Sequence, residues 1–238
     1  SEWGRRTLKA LVARSEALSH HLITQEPEVL EKLTQEDPGV AGLSRYIASC
    51  GNFPVFTNTD VTYFPLGEDK WKAMLRELEK AQSTIYLEYF IVREGVMWGK
   101  VLEILARKAQ KGLDVRMLYD GTCEFTTLPY DYPKRIEKLG IRCKMFSPIE
   151  PLISSHYNYR DHRKILVIDG YTAFTGGVNL ADEYINQEVR FGHWKDTAVM
   201  LKGDAAQSFS LMFLQMWNVD EKQPVFPDTV KPAAPAPI

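Results

Sequence analysis

Residues 160–170 read RDHRKILVIDG. Four apolar residues, Ile165 to Ile168, lie between Arg163-Lys164 on one side and Asp169-Gly170 on the other. A short apolar run between charged ends reads as a strand destined for a core. His162 and Lys164 stand at its mouth, and the alternation of strand side chains sends both to the same side of the sheet. Asp169 has the opposite parity and is expected to face away, tying down the turn at Gly170.

Working outward, the chain alternates. Helical patterns at 68–82 (EDKWKAMLRELEKAQ), 98–112 (WGKVLEILARKAQKG) and 132–140 (YPKRIEKLG) each precede a strand-like run: STIYLEYFIV, LDVRMLYDG and IRCKMFSP. Repeated helix–strand units predict an α/β domain with a mainly parallel mixed sheet covered on both faces. YTAFTGG, WKDTAVMLKG and a closing helix, DAAQSFSLMFLQMW, follow the opening stretch. Residues 54–67, PVFTNTDVTYFPLG, read as a hairpin turning at Asn58-Thr59-Asp60. The expected organisation is a helical arm over 1–50, a catalytic domain over 51–220 and a Pro/Ala-rich linker or disordered tail over 221–238.

With 29 basic against 31 acidic residues in 238, the formal charge is −2. That balance argues against a protein that coats nucleic acid and leaves room for a small basic pocket. Cys50, Cys123 and Cys143 have no metal-binding spacing and suit a reducing compartment, with Cys143 expected to be buried. His20 and His21, adjacent on a helix, point about 100° apart and read as surface residues. No apolar run reaches the ~18 residues of a membrane-spanning helix, and no signal peptide opens the chain.

A histidine beside a fixed ammonium suits a phosphoryl centre: the imidazole attacks phosphorus and the lysine balances charge on the phosphate oxygens. Downstream, FTGGVNL supplies Gly176 and Gly177, whose backbone can approach a ligand closely, and Asn179, which suits a helix N-cap by type or aims its amide at a phosphate oxygen. The joint pattern H-x-K-x4-D-x6-G-G-x-N arises by chance in a chain of this length only on the order of a few times in a million. Glu88, in mid-strand, needs a buried partner, and Asp120 ends a strand where parallel sheets place ligands; each has a catalytic and a loop-anchoring reading. His193 reads as a loop residue, and His156 lies near enough in sequence to line the pocket.

His162, Lys164, Asp169, Gly176, Gly177 and Asn179 together resemble the signature of the phospholipase D superfamily. NYRDHRKILVIDG, FTGGVNLADEYIN and FGHWKDTAVMLKG are more similar still to bacterial cardiolipin synthases, over roughly residues 50–220. The resemblance implies an αβα sandwich, a phosphatidyl-histidine intermediate, no cofactor and no metal. It implies phosphatidyl transfer between two phosphatidylglycerols with release of glycerol. By matching position, His162, Lys164 and Asp169 form the catalytic motif, with His162 the nucleophile or the general acid. Lys164, Gly177 and Asn179 bind phosphate. Asp196 orients the histidine, its alternative being a strand-edge ion pair with Lys195 or Lys202. Tyr157, Tyr159 and Trp194 are placed at a lipid–water boundary or in ordinary packing.

The family carries two such motifs and this chain has one. It is therefore expected to be the first half of a longer enzyme, located at the cell membrane when intact and soluble as this fragment. The alternatives are a single-motif phosphodiesterase or nuclease that pairs two copies, a phospholipase D hydrolase, or a non-catalytic scaffold that keeps the fold without a complete site. The expected partners are phosphatidylglycerol and other anionic phospholipids, a membrane surface, and a second H-x-K half or second copy, with no nucleic acid.

Overall fold

The computed structural model describes residues 2–51, 53–146 and 160–232. Three helices come first: α1 (Glu2–Ser19), α2 (Pro27–Glu36) and α3 (Pro38–Cys50). Asp37 separates the last two, its carboxylate accepting from the amides of Gly39 and Val40 at 3.0 Å while Pro38 occupies the first helical turn. The body follows in the order β1 (Thr59–Phe64), α4 (Gly67–Lys80), β2 (Thr84–Tyr89), α5 (Val96–Gln110), β3 (Asp114–Asp120), α6 (Cys123–Thr126), α7 (Tyr132–Glu137) and β4 (Arg142–Phe146). It closes with β5 (Ile165–Ile168), β6 (Thr172–Gly176), β7 (Ala198–Gly203) and α8 (Ala206–Trp217).

The seven strands form one sheet in the order β1-β7-β6-β5-β2-β3-β4. The expectation of a mainly parallel sheet is corrected here. Only β2–β3 and β3–β4 are parallel; β2–β5, β5–β6, β6–β7 and β1–β7 are antiparallel. The cause is the connections. Helical crossovers return the chain in the same direction only from β2 to β3 and from β3 to β4. β5 and β6 are joined by a tight turn in which Asp169 and Gly170 both take positive φ, 53° and 65°, and the Tyr171 amide bonds back to the Ile168 carbonyl at 3.0 Å. Two consecutive left-handed residues match the right-handed twist of a hairpin, and Asp-Gly is a favoured pair for them. Residues 54–67 are not a hairpin either: Thr59–Phe64 is a single edge strand paired with β7.

Alternation divides the sheet between two cores. Ile85, Leu87, Met117, Leu166, Ile168 and Phe174 meet Met74 and Leu78 of α4 and Val101 and Leu105 of α5. Residues of opposite parity, including Leu118, Ile165, Val167 and Ala173, pack towards Ala206, Leu211, Phe213 and Leu214 of α8. The result is three layers, helix–sheet–helix. Among the described residues beyond α8 there is no regular structure, and Val230 is buried with Leu22, Ile23 and Trp217. Cys123 and Cys143 are buried free thiols and Cys50 is exposed. Among the described residues no helix is long and apolar enough to cross a membrane.

Candidate active site

The site lies at the end of the sheet where β2 and β6 finish and β5 and β7 begin. His162 and Lys164 precede β5 rather than belonging to it, yet the alternation of the strand continues through them. His162 and Lys164 point to the α4 side. Asp161 and Arg163 point to the α8 side, where Glu88 waits on β2.

His162 is exposed and Lys164 is 5% exposed. The Lys164 ammonium lies 3.0 Å from Nδ1 and 3.3 Å from Nε2 of His162, and it donates to the His162 carbonyl at 2.6 Å. Phe90 forms one wall, its ring centroid 4.6 Å from the imidazole and 5.3 Å from the ammonium. Burial pulls the Lys164 ammonium down to about 8, against the opposing fields of Asp196 and Asp161.

On the other side, Arg163 grips Asp161 through two contacts of 2.9 Å and approaches Glu88 Oε1 at 2.9 Å. Burial raises the Glu88 carboxyl well above its usual range, and hydrogen bonding to Asp161 raises it further against the pull of Arg163. Burial also pushes Asp161 upward, but hydrogen bonds from Glu88 and Arg163 outweigh it and bring that carboxyl down to about 2. The two carboxyls are thus pushed in opposite directions, Glu88 toward its protonated form and Asp161 toward its ionised form. Asp120 receives the amide and hydroxyl of Thr122 at 2.9 and 2.8 Å and pairs with Arg160 at 3.3 Å. Both buried carboxylates thus anchor the residues flanking His162.

Asn179 is 3% exposed. Its carbonyl accepts from the Ile91 amide at 2.9 Å and its amide donates to the Tyr184 hydroxyl at 3.0 Å; it caps no helix. Leu180 bridges to Val92, so this segment is stitched to the chain just beyond β2. The Gly177 amide donates to the Thr197 carbonyl at 3.1 Å, so it is not offered to an anion. Gly177 serves in another way: a Cβ there would overlap Asp196 Oδ1. Asp196 takes the Thr197 amide at 2.8 Å and acts electrostatically on Lys164 rather than bonding to the His162 ring. Lys202, its candidate ion-pair partner, binds Glu77 at 2.8 Å instead.

Asp169 is not part of this cluster. It follows the far end of β5, roughly 20 Å from His162 at strand rise. Its carboxylate gathers the amides of Gln82, Ser83 and Thr84 and the Ser83 hydroxyl at 2.7–2.9 Å. Trp194 tilts against Tyr184 at 4.8 Å and is latched to Asn186 through its amide and carbonyl. His193 is exposed, 3.8 Å from Glu68. His156, Tyr157 and Tyr159 lie outside the described residues. Among the described residues no group of three or more His, Cys, Asp or Glu side chains is placed to hold a metal ion.

Lys70 had no part in the sequence-based site. It is 1% exposed, on the inner face of α4, and donates to the Tyr89 hydroxyl at 3.0 Å. Its signal was available: Lys70 occupies the buried stripe Gly67, Lys70, Met74, Leu78, where helical spacing calls for an apolar residue.

A family profile described as "Cardiolipin synthase, PLD-like domain" matches residues 74–217. The chain belongs to the phospholipase D superfamily. It is 53% identical over 221 residues to an uncharacterized protein of Streptococcus mutans, covering 93% of this chain and 48% of that one. It is 35% identical over 216 residues to a cardiolipin synthase of Geobacillus thermodenitrificans, covering 90% and 43%. The chain thus spans about half the length of these superfamily relatives. NucT from Helicobacter pylori shares the fold, with a TM-score of 0.52 at 12% identity over 67% of this chain and 96% of that one.

Proposed function

We propose that this superfamily member supplies one half-site of a phosphatidyl transferase that forms cardiolipin from two phosphatidylglycerols. A ring nitrogen of His162 attacks the phosphodiester; a P–N bond forms as the P–O bond to glycerol breaks. The glycerol oxygen takes a proton from an acid outside this half-site. The hydroxyl of a second phosphatidylglycerol then attacks phosphorus, loses its proton to that same group, and the P–N bond breaks. Lys164 carries the charge of the non-bridging oxygens throughout. Asn179 holds the wall beside it, with one amide hydrogen left for the phosphate. Asp169 acts through the fold.

What carries this reading is the exposed imidazole lying 3.0 Å from a nearly buried ammonium. Among the described residues no second histidine stands beside His162, so one ring cannot both attack and protonate the leaving alcohol in the same step. A second reading, a single-motif phosphodiesterase formed by two copies, draws on the fold shared with NucT over 96% of that chain's length.

The test removes the need for the missing acid. Bis(p-nitrophenyl) phosphate has a leaving group that departs without protonation, so a half-site can complete the first step. The expected result is a burst of nitrophenolate with an acid-labile, base-stable phosphohistidine, absent in a folded His162→Ala variant. No adduct in the wild-type chain, or an unchanged burst in the variant, overturns the proposal. Light scattering under the same conditions separates monomeric half-site from paired copies.

A further inference from the structure

We infer that Asn186 is a positioning residue for the phosphate pocket: by clasping Trp194 against Tyr184 it fixes the carboxamide of Asn179. The contacts run without a gap. Asn186 follows a short 3-10 turn, Asp182–Ile185, with φ 55°, and its backbone amide donates to the Glu183 carbonyl at 3.3 Å. Its side-chain oxygen accepts from the Trp194 amide at 2.7 Å, and Nδ2 donates to the Trp194 carbonyl at 3.0 Å. The same Nδ2 donates to Glu68 Oε1 at 2.8 Å, in the first turn of α4. Both amide hydrogens and the carbonyl oxygen of Asn186 are therefore used within the protein. They close the loop 187–193 at its base and fasten that base to α4, while the loop's Val189 and Phe191 stay exposed.

Trp194 transmits the hold. Its ring lies against Tyr184, centroids 4.8 Å apart, and Tyr184 is buried. The Tyr184 hydroxyl accepts from Asn179 Nδ2 at 3.0 Å, and the Asn179 carbonyl accepts from the Ile91 amide at 2.9 Å. Those two bonds set the plane of the Asn179 carboxamide, so that its second Nδ2 hydrogen has one direction to point. A hydrogen bond between two side chains fixes their relation, not their place. The stack against Trp194 supplies the place, and Asn186 holds Trp194 by both of its backbone polar groups. The far end of the chain reaches the pocket itself: Ile91 follows Phe90, whose ring lies 4.6 Å from the His162 imidazole.

The inference rests on the proposed phosphate site, and structure and rate are read separately. Asn186→Gly keeps the left-handed φ and removes the clasp. In the isotope-labelled whole chain, the Asn179 carboxamide signals, assigned by their loss in Asn179→Ala, should move in Asn186→Gly. Signals left in place in a variant with wild-type circular dichroism overturn the inference. The nitrophenolate burst should slow by roughly fivefold or more in Asn186→Gly, and the same substitution should cost nothing further in an Asn179→Ala background. Losses that add in full overturn the route through Asn179, because a merely structural defect slows both backgrounds alike. If Asn186→Gly does not fold, Asn186→Asp keeps the bond from the Trp194 amide and loses both donations; the Asn179 signals should move there too, and unmoved signals overturn the inference. A wild-type chain without a burst would count against the proposed function, whereas the Asn179 signals judge the clasp.

Discussion

The Lys164 ammonium is held 2.6 Å from the carbonyl oxygen of His162 and 3.0 Å from Nδ1 of the same residue. The backbone of the histidine thus fixes the lysine, and the lysine fixes the ring. This two-residue unit needs no strand to hold it. It needs only the anchors at Asp161, Arg163 and Arg160 on the opposite side.

Holding that ammonium in a pocket costs stability. Its folded-state value is near 8 against 10.5 ordinarily, so the unfolded chain binds the proton more tightly. The cost is complete below about pH 8 and shrinks as pH rises toward 10.5. Lys164→Met is therefore expected to stabilise the protein by about 1–3 kcal/mol at pH 7, with the advantage fading at higher pH. Urea melts at pH 7 and 10 measure this. Phosphate binding should vanish in the variant, and in the wild type should weaken above about pH 8 as Lys164 loses its charge. A destabilised Lys164→Met would mean the ammonium is better paired than its surroundings indicate.

Glu88 and Asp161 titrate in opposite directions, and the sign of each is testable. A carboxyl raised by folding stabilises the protein while protonated, and that contribution is lost as pH climbs through its folded-state value. Glu88→Gln keeps a donor for Asp161 and removes the titration. It should match the wild type near pH 4 and exceed its melting temperature near pH 9. Glu88→Leu removes the donor and should destabilise by about 2–4 kcal/mol, leaving Asp161 and Arg163 buried beside an apolar group. Thermal melts across pH settle both; a Glu88→Gln curve parallel to wild type would show that Glu88 does not hold the proton.

Asp169 is expected to matter for folding. Asparagine tolerates its positive φ, so the substitution leaves the turn conformation alone. What changes is the carboxylate that gathers three amides and a hydroxyl. Asp169→Asn should cost about 1–3 kcal/mol and leave the burst rate per folded molecule within about twofold. An inactive variant of full stability would return Asp169 to the chemistry.

Much of the site was legible because its key residues are neighbours in sequence. His162 and Lys164 are paired by alternation alone, whereas Asp196 entered only through the resemblance, because the β6–β7 pairing that brings it to Gly177 is seen only in the fold. Sheet direction was not read correctly because three helix–strand units were extended past β4, although Asp169-Gly170 is a hairpin signal placed directly between two strands. The Glu88–Asp161–Arg163 cluster joins residues 73–75 positions apart and exists only once β2 and β5 pair through Glu88 and Ile165. Lys70 was passed over because a lysine on a charged helix is ordinarily solvated. Its place on the buried stripe was the contrary sign.

The two glycines at the end of β6 separate folding from positioning. Gly176 has φ 144°, a region closed to other residues, and a Cβ there would overlap the Thr197 carbonyl and the Ala198 backbone. Neither obstacle can move, so Gly176→Ala should lose roughly 2–4 kcal/mol and much of its folded population. Gly177 has no such φ, and the nearest atoms to its added Cβ would be those of the Asp196 carboxylate. That side chain can rotate away, so Gly177→Ala should melt within a few degrees of wild type. It cannot rotate and keep its station beside Lys164. The nitrophenolate burst in Gly177→Ala is therefore expected to slow by about tenfold or more, with the loss appearing in rate rather than in the amount of folded protein. A full-speed burst in that variant would mean that the placement of Asp196 is irrelevant to the attack by His162, and Lys164 alone would then have to account for the charge in the pocket.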